Sequence, residues 1–297
     1  MAIAKINGVN QHTIAKYSGT TNETITKLLG SIIWANAFLV FDGVDDKAQF
    51  TIDSAFITAL CGASGKIGDN ISFTFWLKPT WTTSGSGSGF APKNVFPVYL
   101  GRTDSVWDSV RAPYYQLTNS GGTAQNKIWG DVRSSTGGNN KKNDSVAVHS
   151  YNSIFACGTS SDDYWDSANP SGGAWVFLAA TRAEGKWSLY WNANALTEAD
   201  VTDNTLNTDN SLARVLSIGY TPQNDTYWPM GIRDVSIWKG ALEAENITTL
   251  YNSGKFFDHR TAGLTGQVVY YPFHADGADF SGNADNLTVT GGTITSI

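Results

Sequence analysis

Glycoside hydrolysis needs two carboxyl groups facing each other across a scissile bond. This chain holds only five glutamates: Glu23, Glu184, Glu198, Glu243 and Glu245. Glu243 and Glu245 are the closest pair. They open a stretch with an apolar stripe of Leu242, Ile247, Leu250 and Tyr251, where the positive end of a helix dipole accounts for acids without catalysis. No G-x-S-x-G elbow presents a serine nucleophile. His12, His149, His259 and His274 are scattered without zinc-ligand spacing. Cys61 and Cys157 form no C-x-x-C pair, and their spacing does not imply a disulfide. An enzyme is therefore not expected.

Oxygen donors are denser. Asp276, Asp279, Asn283 and Asp285 make an acid-amide loop of the kind calcium favours, although it lacks the glutamate that closes an EF-hand loop. Turn-forming aspartates explain it at least as well. Sugar recognition uses aromatic faces, and Trp76, Trp129, Trp165 and Trp228 are the candidates because they fall on outward strand faces or in loops. Trp175, Trp187, Trp191 and Trp238 lie in strands and read as core, since burying an aromatic ring is a large stabilising contribution.

The elements that position these groups are strands. Ala48, Phe50 and Ile52 alternate with polar residues. Ile71, Phe73, Phe75 and Leu77 point one way, while Ser72, Thr74 and Trp76 point the other. Further strands read at 38–41, 95–100, 114–117, 127–132, 146–149, 175–181, 187–191, 215–218, 232–238 and 268–273. About a dozen strands predict a two-sheet antiparallel sandwich. One helix is expected from Leu242 to Tyr251, ended by Gly254, with a shorter turn from Ser54 to Leu60. Long Gly/Ser/Asn/Asp-rich loops fall within 82–174 and suit a variable surface.

Composition agrees with a rigid all-β protein. Of 297 residues, 15% are charged and 12% aromatic, and 30 are glycine. The net charge of −6 and the absence of a basic stripe argue against a nucleic-acid partner. The best apolar run, Ile32 to Phe41, contains Asn36 and is too short to span a bilayer. No signal-peptide core opens the chain, which points to synthesis in a cytoplasm without export.

The first 33 residues form a separate unit. Ile3-Ala4-Lys5, Ile14-Ala15-Lys16 and Ile25-Thr26-Lys27 recur every eleven residues, and each repeat contains a glycine. So small a segment buries no core alone. The expected organisation is an extended attachment or oligomerisation arm over 1–33, with Ile3, Lys5, Ile14, Lys16, Ile25 and Lys27 as its contact residues, followed by a sandwich over 34–297.

Four ordered stretches resemble the laminin-G-like, concanavalin A-like jelly-roll superfamily. They are Phe41-Asp42-Gly43-Val44-Asp45-Asp46, the strand Ile71 to Pro79, the hairpin Trp175 to Asn192, and Gly231 to Trp238 continuing through Leu250-Tyr251-Asn252. Tyr270-Tyr271-Pro272-Phe273 with Asp279 and Ser281-Gly282-Asn283 is similar to a further strand and loop of that superfamily. The resemblance implies an all-β jelly roll with a bound calcium, whose ligands would be Asp42, Asp45, Asp46 and Asp234. The glucanases of the superfamily share an E-x-D-x-x-E strand, which this chain lacks. The arm's "AKINGV" and "IAK" are similar to short repeats near the ends of tailed-bacteriophage structural proteins, which are assembled in the host cytoplasm.

Taken together, the sequence predicts a non-enzymatic virion protein of a tailed bacteriophage: a capsid decoration or a tail or fibre protein. Glycan-binding adhesin activity, host-surface glycans, other virion proteins and copies of itself as partners, and an arm that holds it in place are all part of that expectation. A free or cell-surface carbohydrate-binding module is the alternative, and a glycoside hydrolase ranks below it.

Overall fold

The computed structural model describes residues 5–6, 9–10, 37–62, 70–79, 94–103, 109–120, 123–133, 175–183, 186–195, 214–254, 256–273 and 276–296. In the arm, β1 (Lys5–Ile6) pairs with β2 (Val9–Asn10) as a small antiparallel hairpin. Asn7-Gly8 stands between them, the dipeptide that best suits a two-residue connection.

The sandwich is two antiparallel sheets, the jelly-roll architecture expected of the alternating pattern. The first sheet contains β3 (Ala37–Phe41), β5 (Ile71–Pro79), β10 (Val176–Ala183), β11 (Lys186–Trp191), β12 (Asn194–Ala195), β16 (Met230–Lys239), β17 (Gln267–Tyr271) and β19 (Thr293–Ser296). Its order is β12-β11-β10-β5-β16-β3-β19, with β17 sharing the β3 side of β16. The second contains β4 (Lys47–Thr51), β6 (Asn94–Val95), β7 (Val98–Arg102), β8 (Ser109–Ser120), β9 (Thr123–Arg133), β13 (Arg214–Ile218) and β18 (Thr288–Thr290). Its order is β18-β4-β13-β7-β8-β6, with β9 on β8. A separate hairpin joins β14 (Tyr220–Thr221) to β15 (Thr226–Tyr227). The strand expected at 146–149 lies outside the described residues.

Between the sheets lies a core that includes Phe41, Phe73, Phe75, Leu100, Leu216 and Ile237. Each projects inward from every second position of its strand, which is the reason alternation was readable. Burying such side chains contributes roughly 1.5–3 kcal/mol each.

Among the described residues there are two α-helices where the sequence predicted one. The stretch read as a turn is a full helix, α1 (Ser54–Cys61), because the Asp53 carboxylate caps it by accepting the Phe56 N–H at 2.8 Å. It buries Phe56, Ile57 and Leu60 against the core. The second helix, α2 (Ala244–Tyr251), begins with a capping box between Glu243 and Asn246. Glu243 is thus a cap, as its position suggested.

α2 and the segment after it cover the outer face of β5, β10 and β16. A second core forms there from Trp76, Phe177, Trp238, Ile247 and Leu250. Ser72 anchors this layer: its hydroxyl donates to the Gly240 carbonyl and accepts the Leu242 N–H, both at 2.8 Å. The β5 face carrying Ser72, Thr74 and Trp76 is therefore interior, not half-exposed as the sequence pattern suggested.

Candidate functional site

The connection from β3 to β4 brings three carboxylates together. Asp42 Oδ1 accepts the Val44 N–H at 2.7 Å, which folds the chain back on itself. The Asp42 N–H then donates to Asp46 Oδ2 at 2.8 Å and closes the turn. Gly43 sits at φ 81 with its α-carbon against Pro229, where a β-carbon would lie 2.5 Å from the proline ring. A glycine is required there on both counts. As a result, one ligand oxygen from each of Asp42, Asp45 and Asp46 falls within 4.8 Å of the others.

Asp42 and Asp45 are exposed, while Asp46 is buried. Burial holds the Asp46 carboxyl above its ordinary pKa, and the nearby charges of Asp42 and Asp45 push the same way. The Asp42 N–H works against them. Three adjacent carboxylates with one partly desolvated are oxygen donors of the type that could hold a hard divalent cation such as calcium. Gly291 backs directly onto the Asp46 carboxylate, so no side chain crowds it from that side.

Beside this turn stands an aromatic feature that the sequence reading passed over. The β14–β15 hairpin packs Tyr220 against Tyr227, with ring centroids 4.5 Å apart and the rings tilted by 32°, and both rings are half-buried. Lys47 Nζ lies 4.9 Å from the centre of the Tyr220 ring, and the Tyr220 hydroxyl donates to Asp225 Oδ1 at 3.0 Å. Burial, assisted by Asp225, drives the Tyr220 phenol well above its ordinary pKa and keeps it a neutral donor. The available signal was two tyrosines flanking the Pro-Gln-Asn-Asp turn.

Asp234 does not join the acidic turn. It occupies a bulge of β16 at φ 51, fully buried, where its carboxylate accepts from Arg233 Nε at 2.7 Å and from the Tyr270 hydroxyl at 2.9 Å. Its role is to neutralise a buried arginine, and the expectation of a calcium ligand is corrected accordingly. The same network holds His259, whose ring stacks on Tyr270 at 5.1 Å and whose Nδ1 lies 2.9 Å from Ser236 Oγ. Burial pulls the His259 pKa down to about 4, although Asp234 and Asp258 oppose it. A hydroxyl beside an imidazole is the start of a nucleophile–base pair. Ser236 is 0% and His259 1% exposed, so no substrate reaches this one.

The second oxygen-rich loop also resolves into structure. Asp279 Oδ1 accepts the N–H groups of Tyr270 and Ser281, each at 2.9 Å. Its Oδ2 accepts the Ser281 hydroxyl at 2.8 Å and the Asp285 N–H at 3.2 Å. Ser281 Oγ and Asn283 Nδ2 then donate to the Val268 carbonyl at 2.8 and 2.6 Å. This loop caps the outer edge of β17 and leaves Asp279 no spare oxygen for a cation.

Of the four candidate tryptophans, two are packed. Trp76 is 2% exposed, with ring contacts to Phe177, Tyr251 and Phe256. Trp228 is 5% exposed and donates Nε1–H to Thr221 Oγ1 at 3.0 Å. Neither offers a ring face to a sugar, because tertiary neighbours distant in sequence cover Trp76 and the hairpin covers Trp228. The backbone of Trp129 lies in β9 opposite Tyr114. Trp165 lies outside the described residues. So do Ile3, Ile14, Lys16, Ile25 and Lys27 of the arm, whereas Lys5 is in β1.

Residues 122–248 match the family model of the concanavalin A-like lectin/glucanases superfamily. No curated protein matches the chain. Among solved structures, a native heptameric SAP-like pentraxin from Limulus polyphemus superposes with a TM-score of 0.50 at 10% identity, over 89% of this chain and 96% of that one. A candidate carbohydrate-binding protein from Bacteroides ovatus superposes with a TM-score of 0.50 at 12% identity, over 89% of this chain and 60% of that one. At these identities the likeness is one of fold: the two-sheet jelly roll of concanavalin A-like domains. No described helix is long and apolar enough to cross a membrane.

Proposed function

We propose that this chain is a non-enzymatic glycan-recognition module on the exterior of a tailed-bacteriophage virion, as capsid decoration or tail fibre, held by its N-terminal arm. The observation that carries the glycan reading is the convergence of Asp42, Asp45 and Asp46 beside the Tyr220–Tyr227 pair. Carboxylates accept hydrogen bonds from sugar hydroxyls and aromatic faces stack on the apolar face of a pyranose; Lys47, next to Asp46 in sequence, lies over the Tyr220 ring, and Gly43 packs against Pro229, two residues after Tyr227.

Asp42, Asp45 and Asp46 fit calcium in chemistry and spacing and would hold it. Bound there, the ion supplies a positive pole for vicinal hydroxyls. The role of the chain's own residues is to prearrange the carboxylates through the Asp42–Val44 and Asp42–Asp46 hydrogen bonds. The virion reading is supported by the arm's "AKINGV" and "IAK", which are similar to short repeats near the ends of tailed-bacteriophage structural proteins.

A glycan array probed with the full chain, with and without calcium, tests the ligand. Calcium-dependent binding that Asp45→Asn reduces at least tenfold supports the reading. No bound glycan under either condition removes it. For the virion role, full-length protein carrying Ile14→Asp and Ile25→Asp should fold normally and fail to enter particles. Normal incorporation rejects the arm as the anchor.

A further inference from the structure

The strap after α2, residues 256–264, lies on the outer face of the first sheet and closes the second core. Phe256 sets its ring against Trp76 and Trp175, with centroids 4.9 and 5.5 Å away, and the Arg233 guanidinium lies 4.0 Å from its centre. Ala262 and Leu264 pack on the same core. Left-handed backbone stands at both ends of the strap: Asn252, Ser253 and Gly254 before it, Gly263 and Gly266 where it rejoins the sheet. The far end is pinned, because the Gly266 carbonyl accepts the Lys239 N–H at 2.7 Å. A few such positions are enough for the segment between them to turn as a unit.

Within 256–264 only His259 is buried; every other residue there is half-buried or exposed. It opens the 3₁₀ turn His259–Ala262, which Asp258 caps by accepting the Arg260 N–H at 3.0 Å. Three neighbours hold the ring. Tyr270 of β17 stacks on it at 5.1 Å with the planes 15° apart, Phe257 lies 5.5 Å away, and Ser236 Oγ of β16 lies 2.9 Å from Nδ1.

Ser236 fixes where the imidazole keeps its hydrogen. Among the described residues its hydroxyl has two partners, His259 Nδ1 and Gln267 Nε2. An amide nitrogen only donates, so Ser236 Oγ accepts from Gln267 at 3.1 Å and gives its own hydrogen to Nδ1. The ring is therefore neutral, with its hydrogen on Nε2. That nitrogen is buried and has no hydrogen-bond partner among the described residues. A proton added at Nδ1 meets the Ser236 hydrogen and puts a charge where no water solvates it.

The charged groups facing the ring are Arg233 and Asp234 of β16 and Asp258 of the strap itself. Asp234 is bonded to Arg233 at 2.7 Å, and Asp258 to Arg260 at 2.7 Å. From β17 come Tyr270, whose hydroxyl is committed to Asp234, and the uncharged Gln267. Each carboxylate already holds a cation, and neither reaches the imidazole with a hydrogen bond among the described residues.

We propose that His259 latches the strap through its protonation state: neutral, it holds 256–264 on the sheet, and on taking up a proton it leaves its slot and lets the strap swing off the Trp76 side of the second core. The inference stands on other residues than the glycan reading and is independent of it. Burial holds the closed imidazole at about 4, below its ordinary value of 6.5. In the opened strap the ring meets water and titrates normally. The open population therefore grows about tenfold per pH unit as pH falls from 6.5 to 4. The ladder of β16 with β5 runs beneath the strap and takes no part in the change.

Hydrogen exchange of the full chain between pH 7 and pH 4, with the intrinsic rate divided out at each pH, tests the latch. Protection of 256–264 should fall about a hundredfold between pH 6.5 and 4.5, while the β16 amides keep theirs. His259→Asn keeps an acceptor near the Nδ1 position and takes up no proton, so its profile should be flat. Wild-type protection that does not change, or strap and β16 protection lost together, overturns the proposal. So does a His259→Asn strap that opens with acid as wild type does. Long-range ¹H–¹⁵N spectra of the wild-type imidazole give a second reading that needs no variant to fold. The closed ring should be neutral with its hydrogen on Nε2 from pH 7 to pH 5. A hydrogen on Nδ1, or a midpoint near 6.5 with the strap still protected, overturns the latch.

Discussion

Two loops of this protein are crowded with aspartate, one at 42–46 and the other at 276–285. In the later loop, both oxygens of Asp279 are occupied by donors from the chain, two on each. In the earlier one, Asp42 Oδ1 and Asp46 Oδ2 each accept a single backbone N–H, and Asp45 accepts none among the described residues. The later loop spends its negative charge on closing a sheet edge. The earlier loop concentrates charge and leaves it available. Acid density is therefore a poor guide to a cation site. What matters is how many backbone donors the local fold aims at each carboxylate.

The largest test of this contrast is Asp279→Ala. It leaves four donors without their acceptor, three of them backbone N–H groups, and should cost about 3–5 kcal/mol. Urea denaturation of Asp45→Ala beside it should show a change under about 0.5 kcal/mol without calcium. Equal losses would erase the distinction between the loops.

Calcium comes next. At a hundredfold excess over its Kd, an ion bound at the 42–46 turn raises stability by about 2.7 kcal/mol. Thermal melts should show that gain in wild type and in Asp276→Asn, and lose it in Asp45→Asn. A gain that survives Asp45→Asn would move the ion elsewhere. Gly291→Ala should follow at about 2 kcal/mol, since a β-carbon at φ 78 collides with the Asp46 carboxylate. A neutral result would show that Asp46 has room to move.

The smallest effect is a pH dependence. Burial, with the charges of Asp279 and Asp53, raises the Asp285 pKa to about 6. Its oxygen Oδ2 is buried without a hydrogen-bond partner. A carboxyl raised above its unfolded value stabilises the fold fully below that unfolded value, and the contribution is lost as pH rises through about 6. Asp285→Asn should then raise stability by about 1 kcal/mol at pH 7.5 and by nothing near pH 4. His259 has the opposite sign. With its pKa pulled down to about 4, its contribution is complete above the unfolded value near 6.5 and disappears as pH falls through 4. Melting curves of wild type and Asp285→Asn across pH 4–7.5 separate the two groups.

The sequence made the strands legible because one face of most of them is core. Phe73 and Phe75 betray β5 by alternation alone. What it hid were partners far along the chain. Trp76 looked outward because its cover, Tyr251 and Phe256, lies some 175 residues later. β18 and β19 escaped notice because they are only 3 and 4 residues long and rich in threonine. The acidic turn at 42–46 was readable from Asp-Gly and the following aspartates. The tyrosine hairpin beside it was not, since a pair of rings seven residues apart has no period. Asp234 was misread for a related reason: whether an aspartate meets calcium or a buried arginine depends on the bulge that turns it inward.

β3 joins the arm at Ala37 to the acidic turn at Asp42, and these are the two ends of one strand five residues long. If the arm anchors the chain and the turn holds a ligand, as proposed above, a pull between them would run along covalent backbone. The hydrogen-bond ladders from β3 to β16 and β19 lie beside that line of force and need not shear to bear it. A module loaded this way holds its grip without its sheets carrying the tension.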